Sequence, residues 1–347
     1  MLIHTMGKTI KIFVILSLFF GLSSVVFKAI SPRRESAKDN PPVLNNMSAP
    51  QEETKAEEIL SMSIAALRAG KYPGGDFTIE KNLPNGTNYR QYIASYKSER
   101  FKIFGLLTVP LALKPEKGFP AVIFVHGYIS PKQYSTTGNY PSYQATLARS
   151  GVVTFKPDLR GHGESEGEAV SAHYSEKYVV DVLYSLSYLK NYSEVDPARI
   201  GYWGHSNGGE MGLKLAVLTP DIKAFVFWAG VIGSSKDMLE TYNDKIGFLR
   251  NESNPLVEEY GLPSQNPEFW KKIDPYFYLN DISASVELHH GTADDSVPIE
   301  LSRHLNEELK KAGKKVEFFE YPGDDHNIAK NSGLAWQRSI DFFKNNL

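Results

Sequence analysis

The residues best suited to chemistry form a serine motif in the middle of the chain, Gly204-His205-Ser206-Asn207-Gly208. It follows a short apolar run, residues 200–203, and precedes a helical pattern over residues 208–218. A serine on such a strand-to-helix turn has a strained backbone that lifts its hydroxyl above a sheet, and the flanking glycines avoid side-chain clashes. Ser206 is therefore the candidate nucleophile. The alternative is a glycine-rich turn in which Ser206 only caps a helix.

A serine nucleophile needs a general base and an acid that orients the base. The turn after residues 286–289 contains Asp294, and the loop after residues 316–321 contains His326. Both loops follow predicted strands, and active sites of parallel sheets lie beyond the carboxyl ends of their strands. His326 is the candidate base and Asp294 the candidate acid, in the chain order Ser, Asp, His. The neighbouring Asp295 remains the alternative acid.

Backbone N–H groups must stabilise the negative charge that develops on the substrate carbonyl. The candidates are the N–H of Asn207, directly after the nucleophile, and that of Tyr128, in the loop after residues 121–125. His126 lies beside the second donor and is a candidate for the substrate pocket. Trp228, at the end of the apolar run 224–228, is a further pocket candidate.

Two other polar groups of residues carry less information. Residues 158–165 lack the phosphate-loop pattern, and we expect Asp158 and Arg160 either to pair with each other or to form a wall near the nucleophile. The adjacent His289 and His290 point to opposite faces of a strand and do not have metal-ligand spacing. We expect no metal and no cofactor.

Composition narrows the classes of function. The 347 residues include 38 Lys and Arg and 40 Asp and Glu, a formal net charge of -2, so nothing indicates a nucleic-acid partner. The chain has no cysteine, which excludes disulfides, cysteine-ligated metals and a catalytic thiol. The nucleophile must then be Ser, Thr, Lys or a carboxylate.

The elements that position these residues alternate between strands and helices, which predicts an α/β fold with a mostly parallel sheet and helices on both faces. Apolar runs typical of buried strands lie at 121–125, 151–155, 200–203, 224–228, 286–289 and 316–321, and helical patterns at 140–149, 174–191, 208–218, 299–311 and 333–343. A helix over 53–68 and strands at 77–80, 89–96 and 103–109 precede them. Residues 231–285, rich in proline and aromatic residues, interrupt the alternation and are expected to form an inserted lid or substrate wall.

The N-terminus has a different character. Lys8 and Lys11 precede a charge-free run over residues 12–27, which indicates an export signal, either cleaved or kept as a membrane anchor through residues 10–30. A buried core helix is the alternative. We therefore predict three parts: an export segment at 1–30, a flexible tether at 31–53 and a catalytic domain at 54–347. The protein is expected to act outside the cytoplasm, secreted or anchored.

Together these motifs resemble those of the α/β-hydrolases and, more narrowly, of the catalytic domain of the prolyl oligopeptidase family of serine peptidases. The resemblance extends from about residue 89 to the C-terminus. It is carried by residues 125–128, 158–163, 204–209, 290–298 and 321–326. It implies an α/β-hydrolase fold with Ser206 as nucleophile, Asp294 as acid and His326 as base.

The resemblance is less specific for the substrate. Peptidases of that family carry a large β-propeller, and residues 31–90 are too few to form one, while the Gly-His-Ser sequence also resembles many esterases and lipases. We expect a serine hydrolase that cleaves small peptides or amides through an acyl-enzyme. The alternatives are a carboxylesterase and a membrane-tethered binding module without catalysis.

Overall fold

The structure, a computed structural model, describes residues 61–173, 175–246 and 254–347. The predicted export segment and tether lie outside the described residues, as does the first part of the predicted helix over 53–68. Within the described ranges, no helix has the length and apolar character needed to cross a bilayer.

The described residues alternate between strands and helices over most of their length, as predicted. The strands are β1 (Thr78–Leu83), β2 (Tyr89–Ser98), β3 (Phe101–Pro110), β4 (Phe119–Val125), β5 (Val153–Pro157), β6 (Val195–His205), β7 (Ile222–Trp228), β8 (Ser285–Gly291) and β9 (Val316–Tyr321). The helices are α1 (Ile64–Ala69), α2 (Pro141–Arg149), α3 (Lys177–Asn191), α4 (Asn207–Leu218), α5 (Pro255–Tyr260), α6 (Pro267–Ile273), α7 (Ile299–Lys311) and α8 (Ser332–Asn346).

The nine strands form one sheet in the order β1-β2-β3-β5-β4-β6-β7-β8-β9. Strands β1, β2 and β3 pair antiparallel, and β3 pairs antiparallel with β5. From β5 to β9 every neighbouring pair is parallel. The predicted α/β architecture with a mostly parallel sheet is therefore confirmed.

Helices cover both faces of the sheet because side chains along a strand alternate between its faces. In β4, Ile123 and Val125 pack into the larger core cluster, which includes residues of α1, α3, α4 and α7. Val122 and Phe124 of the same strand pack into a second cluster with residues of α2 and α8. A strand covered on both faces is apolar at nearly every position, and this explains the continuous apolar runs in the sequence.

The carboxyl ends of the parallel strands meet at one edge of the sheet. Strands β4, β6, β8 and β9 end there, and each is followed directly by one of the loops that carry the candidate site residues. The fold therefore places four segments that are distant in sequence on one side of the molecule.

The described part of the segment between β7 and β8 contains mostly short helical turns. Besides α5 and α6, it has a π-helical turn at Asp237–Thr241 and 3₁₀ turns at Asn243–Lys245 and Pro275–Asp281. Buried Asp274 ties its two ends together, since its carboxylate accepts a hydrogen bond of 2.8 Å from the Ser235 N–H. Tyr276 donates a hydrogen bond of 2.8 Å to the Ile232 carbonyl. A lid function for this segment stays a prediction.

Candidate active site

Ser206 lies on a strained turn between β6 and α4. Its φ is 53° and its ψ is -117°, a conformation that non-glycine residues rarely adopt. The surrounding backbone holds it there, because its N–H donates to the Trp228 carbonyl at 3.0 Å and its carbonyl accepts from the N–H of Val231 at 2.9 Å. A Cβ on Gly204 would lie 2.6 Å from the Gly208 carbonyl oxygen, so the turn requires glycine before the serine. Strain maintained in this way is typical of functional positions.

His326 and Asp294 are in direct contact. His326 Nδ1 lies 2.8 Å from Asp294 Oδ2, and the second carboxylate oxygen, Oδ1, accepts the N–H groups of Ser296 and Val297 at 2.9 Å each. Burial alone would raise the pKa of Asp294, but hydrogen bonds from His290 and His326 outweigh burial and hold this pKa below its ordinary value. Asp294 is thus an ionised, immobilised carboxylate that fixes the imidazole of His326.

The alternative acid, Asp295, has a different environment. It is exposed, and its carboxylate accepts a hydrogen bond of 3.1 Å from the adjacent Ser296 hydroxyl. Among the hydrogen bonds of the described residues, none joins Asp295 to His326. The structure therefore brings Asp294, rather than Asp295, to the candidate base.

His290 is a residue of this site that sequence reasoning missed. Its Nε2 lies 3.0 Å from both Asp294 Oδ2 and the Val297 carbonyl oxygen, and its Nδ1 is 2.7 Å from Ser302 Oγ. Because a carbonyl oxygen only accepts, the Nε2 carries a proton, which also faces the Asp294 carboxylate. The only sequence signal was the spacing of four residues to Asp294 across a tight turn.

The loop after β4 lies against the serine. A Cβ on Gly127 would be 3.0 Å from Ser206 Cβ, so only glycine allows this close approach. Asn207 is the first residue of α4, and its N–H therefore has no helical carbonyl to bond. Tyr128 is 71% exposed and lines the neighbouring cavity.

His205, which directly precedes Ser206, contacts the loop residue His326. The rings of His205 and His326 have centroids 4.7 Å apart, and His205 Nε2 lies 3.0 Å from the His326 carbonyl oxygen. No direct hydrogen bond between Ser206 Oγ and His326 occurs among the described residues. In hydrolases without substrate this contact is often long and shortens when substrate binds.

A cavity of about 480 Å³ adjoins this site. Both candidate oxyanion residues, Tyr128 and Asn207, line it, as does the predicted pocket residue His126. Its remaining walls are mostly apolar and include Leu159 and Met211.

The cavity has little formal charge. None of its described lining residues is Asp, Glu, Lys or Arg. Burial lowers the pKa of His126 to about 3 and also lowers the pKa of His162, so both imidazoles are neutral near pH 7. The Nδ1 of His173 contacts the Glu210 carboxylate outside the cavity wall.

The expectation that Trp228 lines the substrate pocket is wrong. Trp228 is fully buried on the α8 face of the sheet, where its ring contacts Trp203 and Trp336 with centroids 5.6 and 4.6 Å away. Its Nε1 donates to Ser339 Oγ at 3.1 Å. The alternation of side chains along β7 turns Trp228 into this core, and the sequence position next to the insertion does not reveal that direction.

The predicted pairing of Asp158 with Arg160 is also wrong. Arg160 forms a buried ion pair with Asp181 of α3, at 2.7 Å from Oδ1, and also pairs with the half-exposed Glu99. Asp158 instead accepts hydrogen bonds from the Tyr134 and Thr136 hydroxyls. Both residues therefore bind partners from other segments of the chain instead of each other. The alternative expectation, that this loop forms a wall near the nucleophile, agrees with the position of Leu159 in the cavity lining.

Comparison with known proteins places the chain in a family. A profile of the prolyl oligopeptidase family matches residues 139–347. The uncharacterized peptidase YtmA of Bacillus subtilis is 29% identical over 249 residues, which cover 71% of this chain and 90% of YtmA.

Solved structures show the same fold. An acetyl xylan esterase from Paenibacillus sp. R4 has a TM-score of 0.62 at 18% identity, covering 88% of this chain and 97% of the esterase. The acylaminoacyl peptidase of Pyrococcus horikoshii has a TM-score of 0.60 at 23% identity, covering 75% of this chain and 42% of the peptidase. At these identities the structural likeness shows the α/β-hydrolase fold alone. The family profile and the sequence relative carry the assignment further: the chain belongs to the prolyl oligopeptidase family and is a serine hydrolase.

Proposed function

We propose that Ser206, His326 and Asp294 form a catalytic triad that hydrolyses a carboxylic ester or amide through an acyl-enzyme. The contact of 2.8 Å between His326 Nδ1 and Asp294 Oδ2, next to the strained Ser206 turn, carries this proposal. With Nδ1 donating to the carboxylate, His326 Nε2 is free to accept the serine proton.

The reaction has two halves. His326 Nε2 takes the proton of Ser206 Oγ while this oxygen forms a bond to the substrate carbonyl carbon, and the N–H groups of Asn207 and Tyr128 stabilise the oxyanion. The bond to the leaving group then breaks, and His326 protonates the leaving oxygen or nitrogen. Water attacks the acyl-enzyme with His326 again as base, which releases the acid and restores Ser206.

The cavity beside Asn207, whose described lining includes no Asp, Glu, Lys or Arg, supports a substrate with an uncharged, mostly apolar acyl group. Moving an unpaired charge into such a site costs several kcal/mol, whereas apolar groups gain from burial. This charge pattern suits a carboxylesterase as well as a peptidase acting on neutral residues, so both reactions stay within the proposal.

Activity assays on the full chain test the triad. The Ser206→Ala variant should retain below about 1% of the wild-type turnover, and labelling by a fluorophosphonate probe should disappear. Folding of the variant is checked by circular dichroism. A folded variant that keeps a tenth of the activity contradicts the role of Ser206.

The bond that is cleaved requires a parallel comparison. The wild-type chain is assayed with p-nitrophenyl esters and with alanine and proline p-nitroanilides. Cleavage of the esters alone identifies a carboxylesterase, and cleavage of the anilides identifies a peptidase. If neither is cleaved and the probe does not label Ser206, the chain is a binding module.

We propose further that residues 10–30 direct export of the enzyme. This segment then either anchors the enzyme in the membrane or is cleaved, which releases the enzyme outside the cytoplasm. The two lysines and the charge-free run after them support this proposal. Fractionation of cells expressing the full chain tests it, and activity confined to the cytoplasm contradicts it.

A further inference from the structure

A chain of hydrogen bonds links the loop after β4 to the loop that carries His326. The Gly127 N–H donates to Tyr140 Oη at 3.1 Å, Tyr140 Oη lies 2.7 Å from His205 Nδ1, and His205 Nε2 lies 3.0 Å from the His326 carbonyl oxygen. Neither Tyr140 nor His205 is a member of the proposed triad. The two side chains together span the space between the proposed oxyanion loop and the proposed base.

The positions of the protons in this chain follow from its two ends. The His326 carbonyl only accepts, so His205 Nε2 carries a proton. Burial lowers the pKa of His205 to about 3, so its imidazole is neutral and Nδ1 is a lone-pair acceptor. Tyr140 therefore donates its hydroxyl proton to His205 and accepts the N–H of Gly127. Every donor in this series of hydrogen bonds has one acceptor, so each bond can point in only one direction.

The backbone of Tyr140 is strained to keep the hydroxyl in this place. Its φ of 56° is in the left-handed region, which is unfavourable for a tyrosine. The carbonyl of the preceding residue, Asn139, accepts a hydrogen bond of 2.7 Å from the buried Lys156 ammonium. The following Pro141 begins α2. Strain of this kind persists only where the surroundings enforce it, and it often accompanies function.

We propose that Tyr140 and His205 are positioning residues that align the proposed oxyanion loop with Ser206 and His326; this inference rests on the proposed function. The Tyr140 hydroxyl lies directly beneath the loop, since a Cβ on Gly127 would meet it at 2.8 Å. Loss of the hydroxyl frees the Gly127 N–H and lets the next N–H, that of Tyr128, move away from the position of the oxyanion. Oxyanion donors act only when aimed at that position.

The test uses Tyr140→Phe in the full chain, with Tyr143→Phe as the matched control. Tyr143 lies in the first turn of α2, three residues after Tyr140, and its ring contacts that of Tyr140 with centroids 5.4 Å apart. The readout is the ratio of kcat/KM for a p-nitrophenyl ester to that for its thiono analogue, in which sulfur replaces the carbonyl oxygen. An aligned oxyanion site favours oxygen, and partial unfolding lowers both rates equally, so this ratio reports alignment rather than the folded fraction.

We expect the ratio to fall about tenfold in Tyr140→Phe, with kcat reduced more than KM is raised, and to stay within twofold in Tyr143→Phe. If Tyr140→Phe does not fold, His205→Leu breaks the same chain and should give the same fall. Where both fold, the double variant should be no worse than the more impaired single variant, because both changes interrupt one chain. A wild-type ratio in a folded Tyr140→Phe or His205→Leu variant overturns the inference, whereas activity in Ser206→Ala overturns the proposed function instead.

Discussion

The length of the acyl group should control the rate if the cavity beside Asn207 receives it. Each methylene that moves from water into an apolar cavity contributes about 0.8 kcal/mol, or roughly fourfold in kcat/KM. From a p-nitrophenyl acetate to the hexanoate, four methylenes should therefore contribute about 3 kcal/mol, or roughly 200-fold. At about 30 Å³ for each water-sized group, the cavity of about 480 Å³ has ample room for this chain.

A variant that partly fills the cavity tests whether the dependence of kcat/KM on acyl length arises there. Ala172 is buried and lines the cavity, so the six added ring carbons of Ala172→Phe would fill part of it. If the ring excludes two of the four methylenes, the ratio of hexanoate to acetate hydrolysis falls about 15-fold. Ala145→Phe is the matched control, because Ala145 lines a separate cavity of about 340 Å³ beside α2 and β3.

The measurement is the kcat/KM of the acetate and hexanoate esters with the wild type, Ala172→Phe and Ala145→Phe. A hexanoate ester that ends in a carboxylate serves as a charged control, and it should be at least 100-fold poorer than the uncharged ester because the described cavity wall offers no cationic Lys or Arg partner. A wild-type ratio near one, or equal ratios in the two Phe variants, would refute the assignment of the acyl group to this cavity.

Two further predictions concern the acid and the pH dependence of stability. Asp294→Asn should lower kcat about 10³- to 10⁴-fold because it removes the carboxylate that orients His326, while Asp295→Asn should stay within threefold of wild type; comparable losses in the two variants would contradict this division of roles. Burial lowers the pKa of both His126 and His205 to about 3, so below pH 6.5 the unfolded state binds protons that the folded state does not, and stability is lost as the pH falls. Between pH 7 and pH 5 the free energy of unfolding, measured with urea, should decrease by about 2 kcal/mol for each histidine, and His126→Gln should remove its share; the same pH slope in that variant would show that His126 is not buried in its neutral form.

Local patterns were sufficient to predict most of the elements. The bounds of α7 and β9 agree with the predicted ranges 299–311 and 316–321, because a pronounced apolar face and a strand ending before Pro322 are local signals. Strand β6 begins at Val195, five residues before the predicted run, because Asp196, Pro197 and Arg199 interrupt the apolar pattern at its start. Phe119 pairs with Val195, and only the neighbouring strand reveals this pairing.

The sequence by itself determined the fold class and the three candidate catalytic residues, because strand and helix periodicity is local and each candidate follows a strand in a recognisable turn. Only the tertiary structure showed that Asp294, rather than Asp295, contacts His326, that Trp228 lies in the core, and that Arg160 pairs with Asp181. It also showed the hydrogen bond of Tyr140 with the loop after β4 and the contact of His290 with Asp294. Side-chain direction and long-range hydrogen bonds depend on how the sheet and helices pack, and short-range sequence patterns carry little of that information.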